Sequence, residues 1–269
     1  MKANISIILD GSLFYVDNDK QQFVQAAYPE NRIPFSQLKE EGGFYSMLYA
    51  IVEKTAKSHL ELMRELSPQL RRIIIPKEVL QKEFGKDSSL PALFNQTSYR
   101  HNWGILMVDE AIDRRLKGEL PKITLMEKPY VIDIRMQELR SVAQPAERIG
   151  IKELEMSSDG EKLHLFFDTI QGQQISKESV LMPFREGIVL MEMPNEILLD
   201  PVGAARLYKL EDTELLSRFP MKMNHQALAI PLTKIAHQEM IELQQKKITG
   251  PEAPKLRSYI QPRRKGKSI

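Results

Sequence analysis

The chain of 269 residues contains no cysteine. That excludes disulfides, thiolate metal sites and cysteine nucleophiles, and it fits the reducing cytoplasm, the expected location. No run approaches the roughly 20 apolar residues that cross a bilayer, so no membrane partner is expected. The opening MKANISIILDG has only a short apolar stretch before Asp10 and does not read as a secretory signal. Neither usual Gly-rich phosphate loop occurs, and there is no G-x-S-x-G elbow. The histidines are His59, His101, His164, His225 and His237, and none has another three or four residues away, so a helical metal pair is absent. His59, in an apolar stripe, and His164, in an expected strand, read as partly buried structural residues. Asp109, Glu110 and Asp113 put two carboxylates on one helix face, but Arg114 and Lys117 follow at salt-bridge spacing. A solvated face is expected there, and no metal or cofactor anywhere. Aromatics make up only 7%, with no strand that interleaves them with arginine as an RNA-stacking platform would. The lone Trp103 reads as a packing anchor.

What remains is globular: 42% hydrophobic and 28% charged, enough for one large domain or two ordinary ones. The charge is unevenly placed. Of 38 basic and 36 acidic residues, the last 24 positions hold Lys246, Lys247, Lys255, Arg257, Arg263, Arg264, Lys265 and Lys267 against one acid, Glu252. Residues 1–245 are left with 30 basic and 35 acidic side chains, a net of −5, while the tail carries +7. Pro251, Pro254 and Pro262 in that tail remove backbone donors and oppose a helix, so a disordered basic tail over 248–269 is expected. Such a terminus holds polyanions by releasing their counterions.

The body reads as a tandem duplication. Asp17–Leu38 set against Asp133–Leu154, at an offset of 116, gives seven identities in 22 positions. They are Asp17/Asp133, Gln21/Gln137, Ala27/Ala143, Pro29/Pro145, Arg32/Arg148, Ile33/Ile149 and Leu38/Leu154. Collinear matches support it: Ile5 and Ile7 with Ile123 and Leu125, Gly43 with Gly160, and Pro76–Leu80 with Pro194–Leu198. The copies span 1–118 and 119–247, the second including a C-terminal helix. A period this long indicates a duplicated domain rather than a solenoid.

Each copy opens as an antiparallel β-meander. Ile5–Leu9 and Leu13–Val16 flank Asp10-Gly11, a hairpin signal because a tight type I′ turn needs φ > 0 twice. Ile123–Leu125 and Tyr130–Ile132 match them, with a shorter turn near Glu127-Lys128. Third strands fall at 22–26 and 138–142, and strands are also expected at 44–49, 162–167, 73–76 and 189–194. Helices are expected over Ile51–Leu66, where the apolar spacing is four and three, and over Ile105–Lys117, with Val108, Ala111, Ile112 and Leu116 inward. Asp200-Pro201 is a capped helix start, Glu211–Phe219 a short helix. Thr233–Lys247 would place Leu232, Ile235, Ala236, Met240 and Leu243 on one face. Strands followed by helices make the class α+β.

Asp17, Gln21, Arg32, Asp133, Gln137 and Arg148 are the ligand-binding candidates, since two modules that bound alike need equivalent polar groups. The same residues could close turns. Duplicated modules without a catalytic constellation suggest a non-enzymatic, cytoplasmic binding protein that contacts nucleic acid through Lys255, Arg257, Arg263, Arg264, Lys265 and Lys267. The alternatives are a protein-interaction scaffold without nucleic-acid affinity, and an enzyme with a site between the copies built from Asp17, Arg32, Asp133 and Arg148.

Overall fold

The computed structural model describes residues 5–57, 69–80, 90–180 and 183–249. The six tail cations, His59 and the stretch 58–66 of an expected helix lie outside the described residues. The fold is mixed α+β, with several antiparallel sheets and few helices. It comprises two compact units, 1–165 with 191–229, and 166–190 with 230–269. Among the described residues no helix is long and apolar enough to cross a membrane.

In the first unit, β1 (Ser6–Leu9), β2 (Ser12–Asp17), β3 (Gln22–Gln25) and β4 (Arg32–Pro34) form an antiparallel meander. β5 (Lys39–Glu41), β6 (Phe44–Ala50), β7 (Thr55–Lys57) and β8 (Leu70–Pro76) form a second sheet centred on β6. β9 (Ile105–Met107) joins the free edge of β1, antiparallel. Asp10 and Gly11 take φ of 43° and 89°, as the hairpin between β1 and β2 requires.

A meander of the same strand order follows: β10 (Lys122–Leu125), β11 (Lys128–Asp133), β12 (Glu138–Ser141) and β13 (Arg148–Gly150). Leu125 faces Lys128 as Leu9 faces Ser12, Ile132 faces Leu139 as Val16 faces Phe23, and Leu139 faces Ile149 as Phe23 faces Ile33. Each correspondence is offset by 116. The second hairpin turn is Met126–Glu127, at φ 44° and 68°, and is as long as the first rather than shorter. The registers pair Ile7 and Leu9, not Ile5 and Ile7, with Ile123 and Leu125. Gly42 rather than Gly43 shares the left-handed conformation of Gly160, at 65° and 75°. β14 (Glu155–Met156) then meets β15 (Lys162–Asp168) with Glu155 opposite His164, as Lys39 lies opposite Ser46. The fifth strand differs: β18 (Asn224–Gln226) runs parallel to β10.

Period-two alternation sets the core. Ile7, Leu9, Phe14, Val16 and Phe23 point inward onto Tyr49, Ile73 and Ile75, all at most 2% exposed. The other face of β1 and β9, Ile8 and Leu106, is covered by Ile112, Val202, Leu216, Met221 and Met223. Burial on both faces explains why these strands are continuous apolar runs.

That double burial also corrects the helix expected over 105–117. Ile105–Met107 pair with β1, and the helix starts only at Glu110, running to Leu116 behind the Asp109 cap. Of its four supposed inward residues only Ile112 is fully buried. The helix expected from Ile51 is instead a hairpin over its described part: Lys54 turns left-handed at φ 57°, and β7 returns along β6. Glu211–Phe219 contains only a 3₁₀ turn, Glu214–Ser217. Strands β9, β18 and β19 (Leu228–Pro231) follow helical segments, so the modules are not simply strands first and helices afterwards.

In the second unit, the end of β15 pairs with β16 (Gln173–Ile175), Phe166 opposite Ile175. β17 (Ile188–Pro194) contributes Ile188 to a cluster with Phe166 and Val180. The helix Lys234–Thr249 lies near the expected bounds, and Leu232 and Met240 pack on that cluster. Ile235 does not; it is 73% exposed, because the buried line runs through His237, whose Nε2 lies 2.8 Å from the Val180 carbonyl oxygen.

Candidate functional site

Five of the six residues shared by the two meanders hold turns, and the sixth, Arg148, pairs across two strands. Asp17 accepts a hydrogen bond from the Lys20 amide at 3.0 Å, and Asp133 one from the Met136 amide at 3.0 Å. Gln21 donates to the Asn18 carbonyl and Gln137 to the Ile134 carbonyl, both at 2.7 Å, with each glutamine at positive φ. Arg32 donates to the Pro29 carbonyl at 3.1 Å, while Arg148 reaches Glu138 at 3.1 Å. Every one of these bonds stays within its own meander. Among the described residues no hydrogen bond or ion pair joins Asp17 or Arg32 to Asp133 or Arg148, the four residues of the enzymatic alternative.

The other sequence candidates have ordinary structural surroundings. Asp109 caps its helix through the Ile112 amide at 2.9 Å. Asp113 pairs with Lys117 at 2.6 Å, and Glu110 with Arg114 at 3.6 Å. The described residues hold no group of three or more possible metal ligands. Trp103 packs 5.8 Å from Phe94 and stacks on His101 at 5.7 Å. His164 lies 3.5 Å from Glu192, whose carboxyl is held low chiefly by its hydrogen bond from Lys162.

His225 is half-buried, its Nε2 has no hydrogen-bond partner, and burial pushes its pKa below the ordinary value. A depressed histidine stabilises the fold above its unfolded pKa of about 6.5, and this contribution is lost as pH falls through the folded value. His225→Gln is therefore expected to flatten the acid limb of a plot of urea midpoint against pH below about 6.5. An unchanged limb would contradict this.

Two polar constellations escape the sequence. In the first, Lys54 pairs with Glu211, Ser12 donates to Glu211 at 3.4 Å, and Thr213 donates to the Gly11 carbonyl at 2.7 Å. Arg71 joins Asp10 to Asn102 beside it. A Cβ on Gly11 would stand 2.8 Å from the Glu214 carbonyl oxygen, so the glycine admits the 211–214 segment as well as the turn. In the second, Arg115 grips Asp200: Nε lies 3.0 and 3.1 Å from the two carboxylate oxygens and Nη2 2.9 Å from Oδ2. Both side chains are almost wholly buried, at 4% and 0% exposure. These partners lie 85 residues apart in the chain, where no local motif marks them.

A cleft among the described residues has the size of a ligand site. It measures about 690 Å³ and lies among the helix Leu90–His101, the helix Glu110–Leu116 and residues Pro220–Met223. Asn95 braces its base by pairing with both the amide and the carbonyl of Met107, at 2.8 and 3.0 Å, as a strand neighbour would. Tyr99 ties the wall to the Leu216 carbonyl at 2.5 Å.

The architecture defines the chain as a mixed α+β protein. No family model, curated protein or solved structure matches it.

Proposed function

We propose that this chain is a non-enzymatic binding protein, a tandem duplication of an α+β module over 1–118 and 119–247, that holds nucleic acid through its basic segment 248–269. Shared strand order and register at the offset of 116 support the duplication. A cytoplasmic location accords with the lack of cysteine.

The observation that carries the nucleic-acid reading is the charge separation: +7 in the last 24 residues against −5 in the rest. Those 24 residues start in the last turns of the helix Lys234–Thr249, which His237 and Met240 anchor in its unit.

Fluorescence anisotropy of labelled single-stranded DNA, duplex DNA and RNA tests this with the full chain. Neutralising about six to eight phosphates gives a log–log salt slope of roughly −4 to −7. Between about 50 and 200 mM salt, affinity then falls roughly 10²- to 10⁴-fold. Replacing Lys255, Arg257, Arg263, Arg264, Lys265 and Lys267 by serine is expected to abolish most binding and flatten the slope. Unchanged binding by that variant, or none by the parent at low salt, overturns the reading and leaves the interaction scaffold.

A further inference from the structure

The cleft between the helices Leu90–His101 and Glu110–Leu116 has a charge pattern that the fold itself does not use. Its floor is apolar, made by Ala111, Ile112, Met221 and Met223. The segment Pro220–Met223 is extended in its side-chain alternation: Met221 and Met223 are buried at 8% and 7% while Lys222 is exposed between them. Arg100, exposed in the last turn of the other wall, also lines the cleft.

The carboxylates of the cleft are already engaged. Asp109 accepts from the Ile112 amide and from Asn95, both at 2.9 Å. Glu110 faces Arg114, which Glu119 also holds at 2.7 Å. No carboxylate of the described residues lies within salt-bridge distance of Arg100 or Lys222. An apolar floor with two uncompensated cations at its rim complements a molecule with an apolar body and one negative end.

The volume of about 690 Å³ falls within the range of roughly 300–1,000 Å³ usual for small-molecule sites. Two methionines adapt their unbranched side chains to varied apolar shapes. We infer that this cleft binds a small amphipathic anion, an alkyl or aryl chain ending in a carboxylate, with the chain on Met221 and Met223 and the carboxylate between Arg100 and Lys222. Binding here is separate from the basic tail and does not depend on the nucleic-acid reading.

Calorimetric titration of the full chain with laurate, dodecanol and dodecyltrimethylammonium tests the assignment below micelle-forming concentrations. Laurate is expected to bind one to one, dodecanol at least tenfold more weakly, and the cation not at all. The double variant Arg100→Glu with Lys222→Glu is expected to weaken laurate at least tenfold. Ala92→Trp, at an exposed position lining the cleft, is expected to fill it and abolish binding of laurate and dodecanol alike. Gln96→Trp is a second filling variant, also exposed and on the same helix, should the first lose its circular dichroism. The six-serine tail variant is expected to bind laurate as the parent does. Equal binding of laurate and the cation, or laurate binding untouched by the glutamates or by the tryptophans, overturns the inference. So does loss of laurate binding in the tail variant alone, which would place the anion on the tail.

Discussion

Asp200→Ala is expected to lower the unfolding free energy by about 3–5 kcal/mol, because it leaves a buried guanidinium without its counter-charge. A domain of ordinary stability has only about 5–15 kcal/mol in all, so the urea midpoint should fall by a large fraction. The substitution removes two functions at once. The carboxylate is the partner of Arg115 through both oxygens, and it also caps the helix Pro201–Leu207 by accepting from the Gly203 amide at 2.9 Å. Arg115→Met separates them, since it leaves the cap in place and strands the carboxylate instead. Breaking one side of a buried pair costs more than removing both. The double variant Arg115→Met with Asp200→Ser, which keeps a capping oxygen, is therefore expected to recover most of the loss. Equal midpoints for Asp200→Ala and the parent, or a double variant worse than either single one, would contradict this account.

Gly203→Ala is expected to destabilise the fold by about 1–3 kcal/mol, the usual cost of overpacking. Helix propensity alone predicts the opposite sign, a gain of roughly 1 kcal/mol for alanine over glycine. Space decides it. A Cβ at this position would overlap the Asp200 carboxylate, 2.8 Å from its Cγ, and stand 3.2 Å from the Cβ of Ile134. The glycine is fully enclosed in the first unit. Removing the carboxylate should remove most of the clash, so the double variant with Asp200→Ala is expected to lose less than the two single losses combined. Denaturation curves of the four proteins measure that coupling, and strict additivity would show that the carboxylate is not what the methyl group meets.

Much of the fold is legible in the sequence. The Asp10-Gly11 turn, the presence of the meander strands and the Asp200-Pro201 helix start follow from local chemistry: a backbone that needs positive φ, alternation of period two, and an oxygen placed before a proline. The offset of 116 read from identities such as Asp17/Asp133 and Arg32/Arg148 is also the offset of the strand registers. Where local reading failed, tertiary burial had overridden periodicity. Ile105–Met107 looked helical because three consecutive apolar residues satisfy either period, and only the free edge of β1 made them a strand. Ile51 opens an apolar stripe of helical spacing, yet Lys54 in the left-handed region returns the chain as a hairpin.

The candidate site was the less legible part. Identity between the meanders points to Asp17, Gln21 and Arg32; the aspartate and the glutamine close the same turn in both meanders, while Arg32 closes a turn and its counterpart Arg148 pairs with Glu138. The cleft residues Arg100, Lys222, Met221 and Met223 have no counterpart signal, because a cleft is made by segments more than a hundred residues apart.

Composition, charge placement, turn chemistry and the order of the strands within each meander belong to the sequence by itself, since neighbouring meander strands are joined by short local turns. The buried Arg115–Asp200 pair, the space that requires glycine at 203 and the two unpaired cations over an apolar floor belong to the tertiary structure. Each depends on which distant groups meet, and on whether a charge, once there, finds a partner.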